Sequence, residues 1–203
     1  MGSSKRWKHE HNRDVYVRKA RSDGYRSRAA YKLLELDRSD KLMRPGDTVV
    51  DLGASPGGWS QVAAEKTGPG GFVLGTDLLP MDPLEGVRFV LGDFTEQAVL
   101  DEILAELGNR PVDLVISDMA PNITGIRTTD QARSALLVEL ACDFAVKVLK
   151  PGGRFVVKVF QGESSESCVR ETARQFASLR RRKPDASRGK SREFYVVASG
   201  FGL

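Results

Sequence analysis

The fold of this chain is decided by the stretch Val49-Val50-Asp51-Leu52-Gly53-Ala54-Ser55-Pro56-Gly57-Gly58-Trp59. A short apolar run ends in an acid, and a glycine-rich turn and a predicted helix start follow it. This order is typical of α/β proteins, in which a nucleotide-type cofactor binds beyond the carboxyl end of the first strand. The stretch therefore predicts a cofactor site at one edge of a sheet.

The turn differs from the one that binds dinucleotides. That turn requires three glycines, the second of which lets the backbone approach the pyrophosphate closely. Here Gly53 and Gly58 fit the first and third positions, but Ser55 takes the second, and Pro56 removes a backbone N–H. The turn favours a nucleoside-type ligand without a pyrophosphate, of which S-adenosylmethionine is the commonest. The alternative is a tight turn in some other α/β protein.

The bulk composition fits one globular domain. The chain has 203 residues, of which 40% are hydrophobic and 29% are charged. The sequence has no apolar run near the roughly 20 residues that a membrane span needs, and its N-terminus lacks the apolar core of a secretion signal. Cys142 and Cys168 fall in predicted helices without metal-ligand spacing. We therefore expect a cytoplasmic protein with reduced thiols, no metal and no membrane contact.

The net charge of +4 is distributed unevenly. Residues 1–32 hold ten Lys/Arg and three Asp/Glu, a net of +7, and residues 179–192 hold seven and one, a net of +6, which leaves −9 on the rest. Two basic blocks around an acidic body favour a partner rich in phosphate, such as RNA. The alternative is a solubilising tail. Tyr16, Tyr25 and Tyr31 could stack on bases or pack the first block against the domain.

Strands and helices are predicted to alternate along the chain. Strands are predicted at 48–52, 72–76, 87–91, 112–117 and 154–160, with further apolar runs around Leu179 and at 193–198 closing the sheet. Helices are predicted at 26–38, 57–66, 96–107, 130–149 and 164–179. The alternation indicates a mostly parallel sheet with helices on both faces. We expect a basic N-terminal arm over residues 1–24, without regular structure, and a single domain over 25–203.

Acidic side chains end four of the predicted strands, namely Asp51, Asp77, Asp93 and Asp118. Ligands of open α/β sheets bind at that edge. Asp77 has the spacing from the glycine turn that suits ribose hydroxyls, and Asp93 could accept a hydrogen bond from an adenine amine. One such acid usually caps a turn, but four at one edge favour an adenosine-type cofactor.

Two further features narrow the chemistry. The loop Asp118-Met119-Ala120-Pro121-Asn122 is similar to the acid/amide-Pro-Pro-aromatic loop of amino-group methyltransferases, but it lacks the second proline and the aromatic residue. A hydroxyl is therefore favoured over a base nitrogen as the methyl acceptor. Lys158 lies within the apolar run 155–160, where a lysine is costly unless it is paired or functional. The alternative is a lysine that reaches solvent from the strand end.

Together these features resemble the FtsJ/RrmJ family of large-subunit ribosomal RNA 2′-O-methyltransferases, from about residue 14 to the C-terminus. The resemblance rests on the loop 51–59 and on Lys32, Asp118, Lys158 and Glu193, which occur in the family's order. Lys32 or Glu193 alone would pass for a surface charge. The resemblance implies a Rossmann-like class I methyltransferase fold with seven strands. It also implies a catalytic tetrad of these four residues, with Lys158 as proton acceptor.

The resemblance further implies S-adenosylmethionine as cofactor and S-adenosylhomocysteine as product. With the glycine loop, it places the cofactor contacts at Gly53, Ser55, Gly57, Trp59, Asp77, Asp93 and Asp118. The implied substrate is a uridine of 23S ribosomal RNA within the large ribosomal subunit, and the implied protein is a monomer.

Several alternatives stay open at the level of sequence. Lys158 could remain charged and stabilise the developing oxyanion instead of accepting the proton. The acceptor could be transfer RNA or an mRNA cap, or the chain could be a non-catalytic RNA-binding assembly factor that keeps the fold. A nicotinamide dehydrogenase is the weakest alternative because of Ser55 and Pro56.

Overall fold

A computed structural model describes residues 14–121, 124–189 and 191–203, so residues 1–13 of the predicted arm and Asn122 lie outside the described residues. The helices are α1 (Val15–Asp23), α2 (Ala30–Asp40), α3 (Gly58–Thr67), α4 (Gln97–Leu107), α5 (Arg127–Val148) and α6 (Glu163–Gln175). The strands are β1 (Thr48–Leu52), β2 (Phe72–Asp77), β3 (Val87–Leu91), β4 (Val112–Ser117), β5 (Leu149–Phe160), β6 (Phe176–Arg182) and β7 (Glu193–Phe201).

The seven strands form one sheet in the order β3-β2-β1-β4-β5-β7-β6. Pairs from β3 to β5 are parallel, whereas β7 is antiparallel to both β5 and β6. The strand order reverses at β1 and β4, which is where open α/β sheets form a ligand crevice. The predicted Rossmann-like fold, with a mostly parallel seven-stranded sheet, is confirmed.

Helices cover both faces of the sheet. On one face α4, α5 and α6 pack on alternate strand residues such as Val50 and Leu52. On the other face α2 and α3 pack on the intervening residues, including Val49. Because side chains alternate between the faces of a strand, this two-sided burial explains the near-continuous apolar runs in the sequence. Both cysteines are free, and both are buried.

The first difference from the sequence-based expectation is α1, because residues 15–23 form a helix within the predicted arm. The side chain of Asp14 accepts the backbone N–H two residues on, and Gly24 ends the helix with a φ of 78°. Its buried residues are Val17 and Ala20. Apart from its first three residues and Ala20 the segment is basic and polar, and the helix is stabilised by its caps and by the packing of Val17 and Ala20.

The second difference is the end of a helix, because the helix predicted over 164–179 ends at Gln175, and the strand predicted around Leu179 spans residues 176–182. This segment pairs with β7 along its length. Phe176 is buried and stacks on Phe155 of β5 with ring centroids 6.1 Å apart. The strand is therefore favoured by its pairing with β7, the next strand along the chain, and by the burial of Phe176.

The tyrosines of the first basic block pack on one another. The ring centroid of Tyr31 lies 5.5 Å from that of Tyr16 and 5.7 Å from that of Tyr25. The hydroxyl of Tyr31 donates to Asp23 at 2.7 Å, and that of Tyr25 donates to Glu65 at 2.9 Å. Of the two roles considered for these rings, the structure supports packing of α1 against the domain.

None of the helices in the described ranges is both long and apolar enough to cross a membrane.

We expect Leu33→Ala to lower the free energy of unfolding by about 2–5 kcal/mol, because it removes a fully buried side chain and leaves a cavity. The matched control is Leu136→Ala on α5, where the leucine is 52% exposed and the expected loss is below about 1 kcal/mol. Urea denaturation of both variants measures the difference. Equal losses would contradict the packing of α2 on the sheet.

Candidate active site

The four residues of the predicted tetrad converge at the carboxyl edge of the sheet. Asp118 directly follows β4, and Lys158 lies near the end of the parallel neighbour β5. Glu193 begins β7, which is antiparallel and pairs it with Phe160. Lys32 reaches the same point from α2. Parallel β4 and β5 end at one edge, and an antiparallel β7 starts there, so the topology itself brings these residues together.

The four side chains form one continuous chain of ion pairs. Lys158 Nζ lies 3.1 Å from Asp118 Oδ1 and donates to the backbone carbonyl of Asp118 at 2.5 Å. Lys32 Nζ lies 2.8 Å from Glu193 Oε1 and 3.7 Å from Asp118 Oδ1. Lys32, Lys158 and Glu193 are each less than 10% exposed. Two acids and two bases at such distances compensate one another's burial, which isolated charges could not do.

A fifth residue, Tyr195, lies at the centre of this cluster and was missed by the sequence analysis. Its hydroxyl donates to Asp118 Oδ1 at 2.5 Å and accepts from Lys32 Nζ at 2.9 Å. Burial, reinforced by the negative charges of Asp118 and Glu193, raises the pKa of Tyr195 well above its ordinary value. The phenol therefore stays protonated and acts as a hydrogen-bond donor to Asp118.

The signal that could have found Tyr195 is its register, because it pairs with Lys158 across β5 and β7. That pairing is not written in the sequence of either strand. Within an apolar strand a tyrosine is typical of the core, and its ring does pack there, 5.7 Å from the ring of Trp59.

Glu193 is held in its charged form. Its burial opposes the charge, but the adjacent ammonium of Lys32, with a smaller contribution from Lys158, lowers the pKa of Glu193 below its ordinary value. An ionised Glu193 in turn holds the ammonium of Lys32 in place. The pair therefore provides a fixed charge arrangement beside Asp118.

A cavity of about 340 Å³ lies at the ends of β1, β2 and β4 and borders this cluster through Asp118. Of the predicted cofactor residues, the structure places five around this cavity, namely Gly53, Ser55, Asp77, Asp93 and Asp118. Asp77 accepts the backbone N–H groups of Ser55 and Leu79 at 2.9 and 2.8 Å. These bonds fix the orientation of the Asp77 carboxylate toward the glycine loop.

The cavity fits an adenosine-type ligand. Its volume lies within the range of roughly 300–1,000 Å³ that is usual for small-molecule sites. Asp77 and Asp93 supply acceptors for hydroxyl and amine groups, and Phe94 and Leu137 supply an apolar wall. The buried hydroxyl of Thr76 also lines the cavity and has no hydrogen-bond partner among the described residues. Buried polar groups are normally paired, so this hydroxyl indicates a ligand contact.

Gly57 and Trp59 do not line the cavity. The Trp59 side chain is buried, and its ring N–H donates to the carbonyl of Ala29 at 2.8 Å. Any contact of Trp59 with a cofactor would therefore come from its backbone at the start of α3. The predicted cofactor contacts of Gly57 and Trp59 stay predictions.

Gly53 is required by the shape of the loop. Its φ is 79°, and a Cβ atom at this position would lie 2.4 Å from Cγ of Met119. Only glycine combines this backbone conformation with so close a neighbour. The first turn of the cofactor site and the loop after β4 are thereby packed directly against each other.

Asp51 lies below this edge, inside β1, and is only 1% exposed. It accepts a hydrogen bond from the hydroxyl of Ser60 at 2.7 Å, which ties β1 to the first turns of α3. Burial, opposed by Ser60 and assisted by the charges of Asp118 and Asp77, raises the pKa of Asp51 to about 7. Of the four strand-end acids, Asp51 is the one that does not line the cavity, and its carboxyl instead binds Ser60 within the fold.

Comparisons with known proteins show which family the chain matches. A family model described as FtsJ-like methyltransferase matches residues 25–201. A protein of Hahella chejuensis named Ribosomal RNA large subunit methyltransferase E is 59% identical over 199 residues, which cover 98% of this chain and 97% of that protein. The protein of the same name from Cellvibrio japonicus is 57% identical, with 98% and 94% covered.

The fold is also similar to solved structures. A Plasmodium falciparum protein assigned as a ribosomal RNA methyltransferase superimposes with a TM-score of 0.76 at 28% sequence identity. The match covers 87% of this chain and 98% of the other.

The raised pKa of Asp51 has a measurable effect on stability. The carboxyl has a pKa of about 7 in the folded protein and about 3.9 in an unfolded chain. The folded state therefore binds the proton more tightly than the unfolded state does. The resulting contribution to the free energy of unfolding is present at low pH and is lost as the pH rises from about 4 to about 7.

Asn cannot ionise, so we expect the stability of Asp51→Asn not to fall over this pH interval. The free energy of unfolding of the variant, relative to that of the wild type, should therefore rise from about pH 4 to about pH 7. Urea denaturation at a series of pH values measures it. Glu102→Gln, at an exposed position on α4, is the control and should follow the wild type. A constant difference between Asp51→Asn and the wild type at all pH values would contradict the raised pKa.

Proposed function

Because the chain belongs to the FtsJ-like methyltransferase family, we propose that it methylates the 2′-hydroxyl of a uridine in 23S ribosomal RNA, with S-adenosylmethionine as methyl donor. The observation that carries the proposal is the position of Asp118. This residue lines the cofactor cavity and also belongs to the cluster of Lys32, Lys158, Tyr195 and Glu193. A donor in the cavity and a hydroxyl at the cluster would therefore be adjacent.

The sulfonium of S-adenosylmethionine supplies an electrophilic methyl group when it is bound. Displacement requires the attacking oxygen in line with that methyl group, so positioning of both partners contributes much of the rate. Asp77 and Asp93 are proposed to hold the donor through its ribose and adenine groups. Asp118 would fix the lysine that meets the acceptor hydroxyl.

Lys158 is proposed as the proton acceptor. A neutral amine has two N–H donors and one lone pair. The carbonyl and Oδ1 of Asp118 lie 2.5 and 3.1 Å from Lys158 Nζ and can take both donors. The lone pair is then the remaining position, and it can accept the proton of the 2′-hydroxyl as the new O–CH₃ bond forms. The resulting ammonium is stabilised by the carboxylate of Asp118.

Two other residues of the cluster also contact the carboxylate of Asp118. Oδ1 of Asp118 accepts from Tyr195 and also faces the ammonium of Lys32. The carboxylate is therefore shared and does not serve Lys158 alone. Glu193 balances the charge of Lys32, whose Nζ lies 2.8 Å from Glu193 Oε1.

Ribosomal RNA is the proposed acceptor class for two reasons. The relatives that match almost the whole chain are named for methylation of large-subunit ribosomal RNA. The basic blocks at residues 1–32 and 179–192 suit a polyanion. We propose that the protein acts in the cytoplasm, as a monomer, on RNA within the large subunit.

A methyl-transfer assay with three RNA classes tests the substrate. We expect labelled methyl groups to enter large ribosomal subunits isolated from cells that lack this protein, and not transfer RNA or capped RNA. Labelling of transfer RNA alone would contradict the ribosomal assignment. RNA binding without transfer to any of the three would favour a non-catalytic assembly factor.

We expect Lys158→Arg to lower turnover at neutral pH by about 10²-fold or more, because a guanidinium keeps its positive charge and cannot accept the proton. Lys147→Arg, at an exposed position of α5, is the matched control and should leave turnover unchanged. Single-turnover rates with saturating donor and RNA make the comparison. Turnover of Lys158→Arg close to that of the wild type would show that Lys158 acts only as a cation.

A further inference from the structure

The side chain of Arg26 lies in the first basic block, yet its contacts in the structure are with the protein backbone. Its Nη1 donates to the carbonyl of Asp82 at 2.6 Å and its Nη2 donates to the carbonyl of Pro83 at 2.6 Å. A longer bond of 3.4 Å runs from Nη1 to the carbonyl of Pro56. One guanidinium therefore joins the glycine loop to the segment that follows β2.

That segment forms a wall of the cofactor cavity. Leu78 and Leu79 line the cavity directly after Asp77. The inner end of the segment is fixed by Asp77, which accepts the backbone N–H of Leu79. Its middle is held by a weaker bond of 3.3 Å from the hydroxyl of Ser55 to the carbonyl of Pro80. Arg26 holds the outer end.

The start of the Arg26 side chain is itself fixed by α3. The side-chain carbonyl of Gln61 accepts the backbone N–H of Arg26 at 3.2 Å, and the amide group of Gln61 donates to the carbonyl of Gly24 at 3.0 Å. The turn between α1 and α2 is thus anchored to the helix that begins at the glycine loop. These bonds fix the backbone from which the Arg26 side chain extends.

Gly57 provides the space for this contact. A Cβ atom there would lie 2.9 Å from Sδ of Met81 and 3.1 Å from both Cδ and Nη1 of Arg26. Gly57 also has a φ of 107°, a value that residues other than glycine rarely adopt. A glycine at position 57 therefore leaves the space that the Arg26 side chain occupies.

We propose that Arg26 is a positioning residue for the methyl-donor site: it holds the segment 78–83, of which Leu78 and Leu79 line the cavity, against the glycine loop and thereby sets the affinity for the donor. The inference rests on the proposed use of S-adenosylmethionine. On this inference Arg26 does not contact RNA phosphate, although its place in the basic block 1–32 predicts such a contact. Arginine suits this role because its planar fork can meet two adjacent carbonyls at once.

Calorimetric titration with S-adenosylhomocysteine, in the absence of RNA, tests the proposal. We expect Arg26→Ala to weaken binding about tenfold or more, since hydrogen bonds from a charged donor are lost. Arg26→Lys should recover only part of the affinity, because one ammonium cannot reproduce the fork. Arg18→Ala removes an equal charge from an exposed position of the same basic block and should bind the ligand like the wild type.

Steady-state kinetics separate this role from RNA binding and from general damage. We expect Arg26→Ala to raise KM for S-adenosylmethionine while KM for RNA and kcat at saturating donor stay within about twofold to threefold of the wild type. If Arg26→Ala does not fold, Arg26→Gln serves the same comparison, because it removes the charge and keeps a polar side chain.

Unchanged affinity for S-adenosylhomocysteine would overturn the inference, as would a rise in KM for RNA alone, which would make Arg26 a phosphate contact. A wild-type protein that does not bind S-adenosylhomocysteine would contradict the proposed function and the inference with it. Binding by the wild type with equal affinity in Arg26→Ala contradicts the inference only.

Discussion

One carboxylate oxygen, Oδ1 of Asp118, holds the candidate site together. It lies within 4 Å of Lys158 Nζ and Lys32 Nζ and accepts the hydroxyl of Tyr195. Removing this acid would leave the buried Lys158 without its carboxylate partner and Lys32 with the carboxylate of Glu193 alone, a costly change in a protein interior. Its position directly after β4 also makes it part of the cofactor cavity. Asp118 therefore belongs both to the cluster and to the lining of the cavity, which are the proposed places for the methyl acceptor and the methyl donor.

Much of this could be predicted from the sequence, and what could not has physical reasons. Strands β1, β3 and β4 have the predicted bounds. For β1 and β4 the reason is burial on both faces, which gives an almost unbroken apolar run. Lys32 and Glu193 were identified only through the resemblance to a family, since each alone is an ordinary charge. Tyr195 was missed because its role depends on cross-strand register. Helix α1 was missed because its caps and its packing stabilise it more than its own periodicity. The strand around Leu179 was predicted, but the helix before it ends four residues earlier than predicted, at Gln175.

The structure also changes what the basic blocks mean. Positive charge in the sequence indicated RNA contacts, but several of these arginines bind the protein itself. Arg26 binds backbone carbonyls around the glycine loop, and Arg28 binds the carbonyl of Ala186 and the side chain of Asp14. Arg182 donates to both oxygens of Asp40. A count of Lys and Arg therefore overstates the number available for phosphate, and the arginines within the fold position α1, α2 and the cofactor loop.

The central claim is that the cluster around Asp118 directs a methyl group to a ribose hydroxyl. The most direct test is nucleoside mass spectrometry of large-subunit RNA after reaction with isotopically labelled S-adenosylmethionine and the purified protein. Our account predicts that the label is found in a 2′-O-methylated uridine, with none in a methylated base, and that Asp118→Ala abolishes it. Label on a base nitrogen or carbon, or labelling of the ribose that survives in Asp118→Ala, would contradict the account.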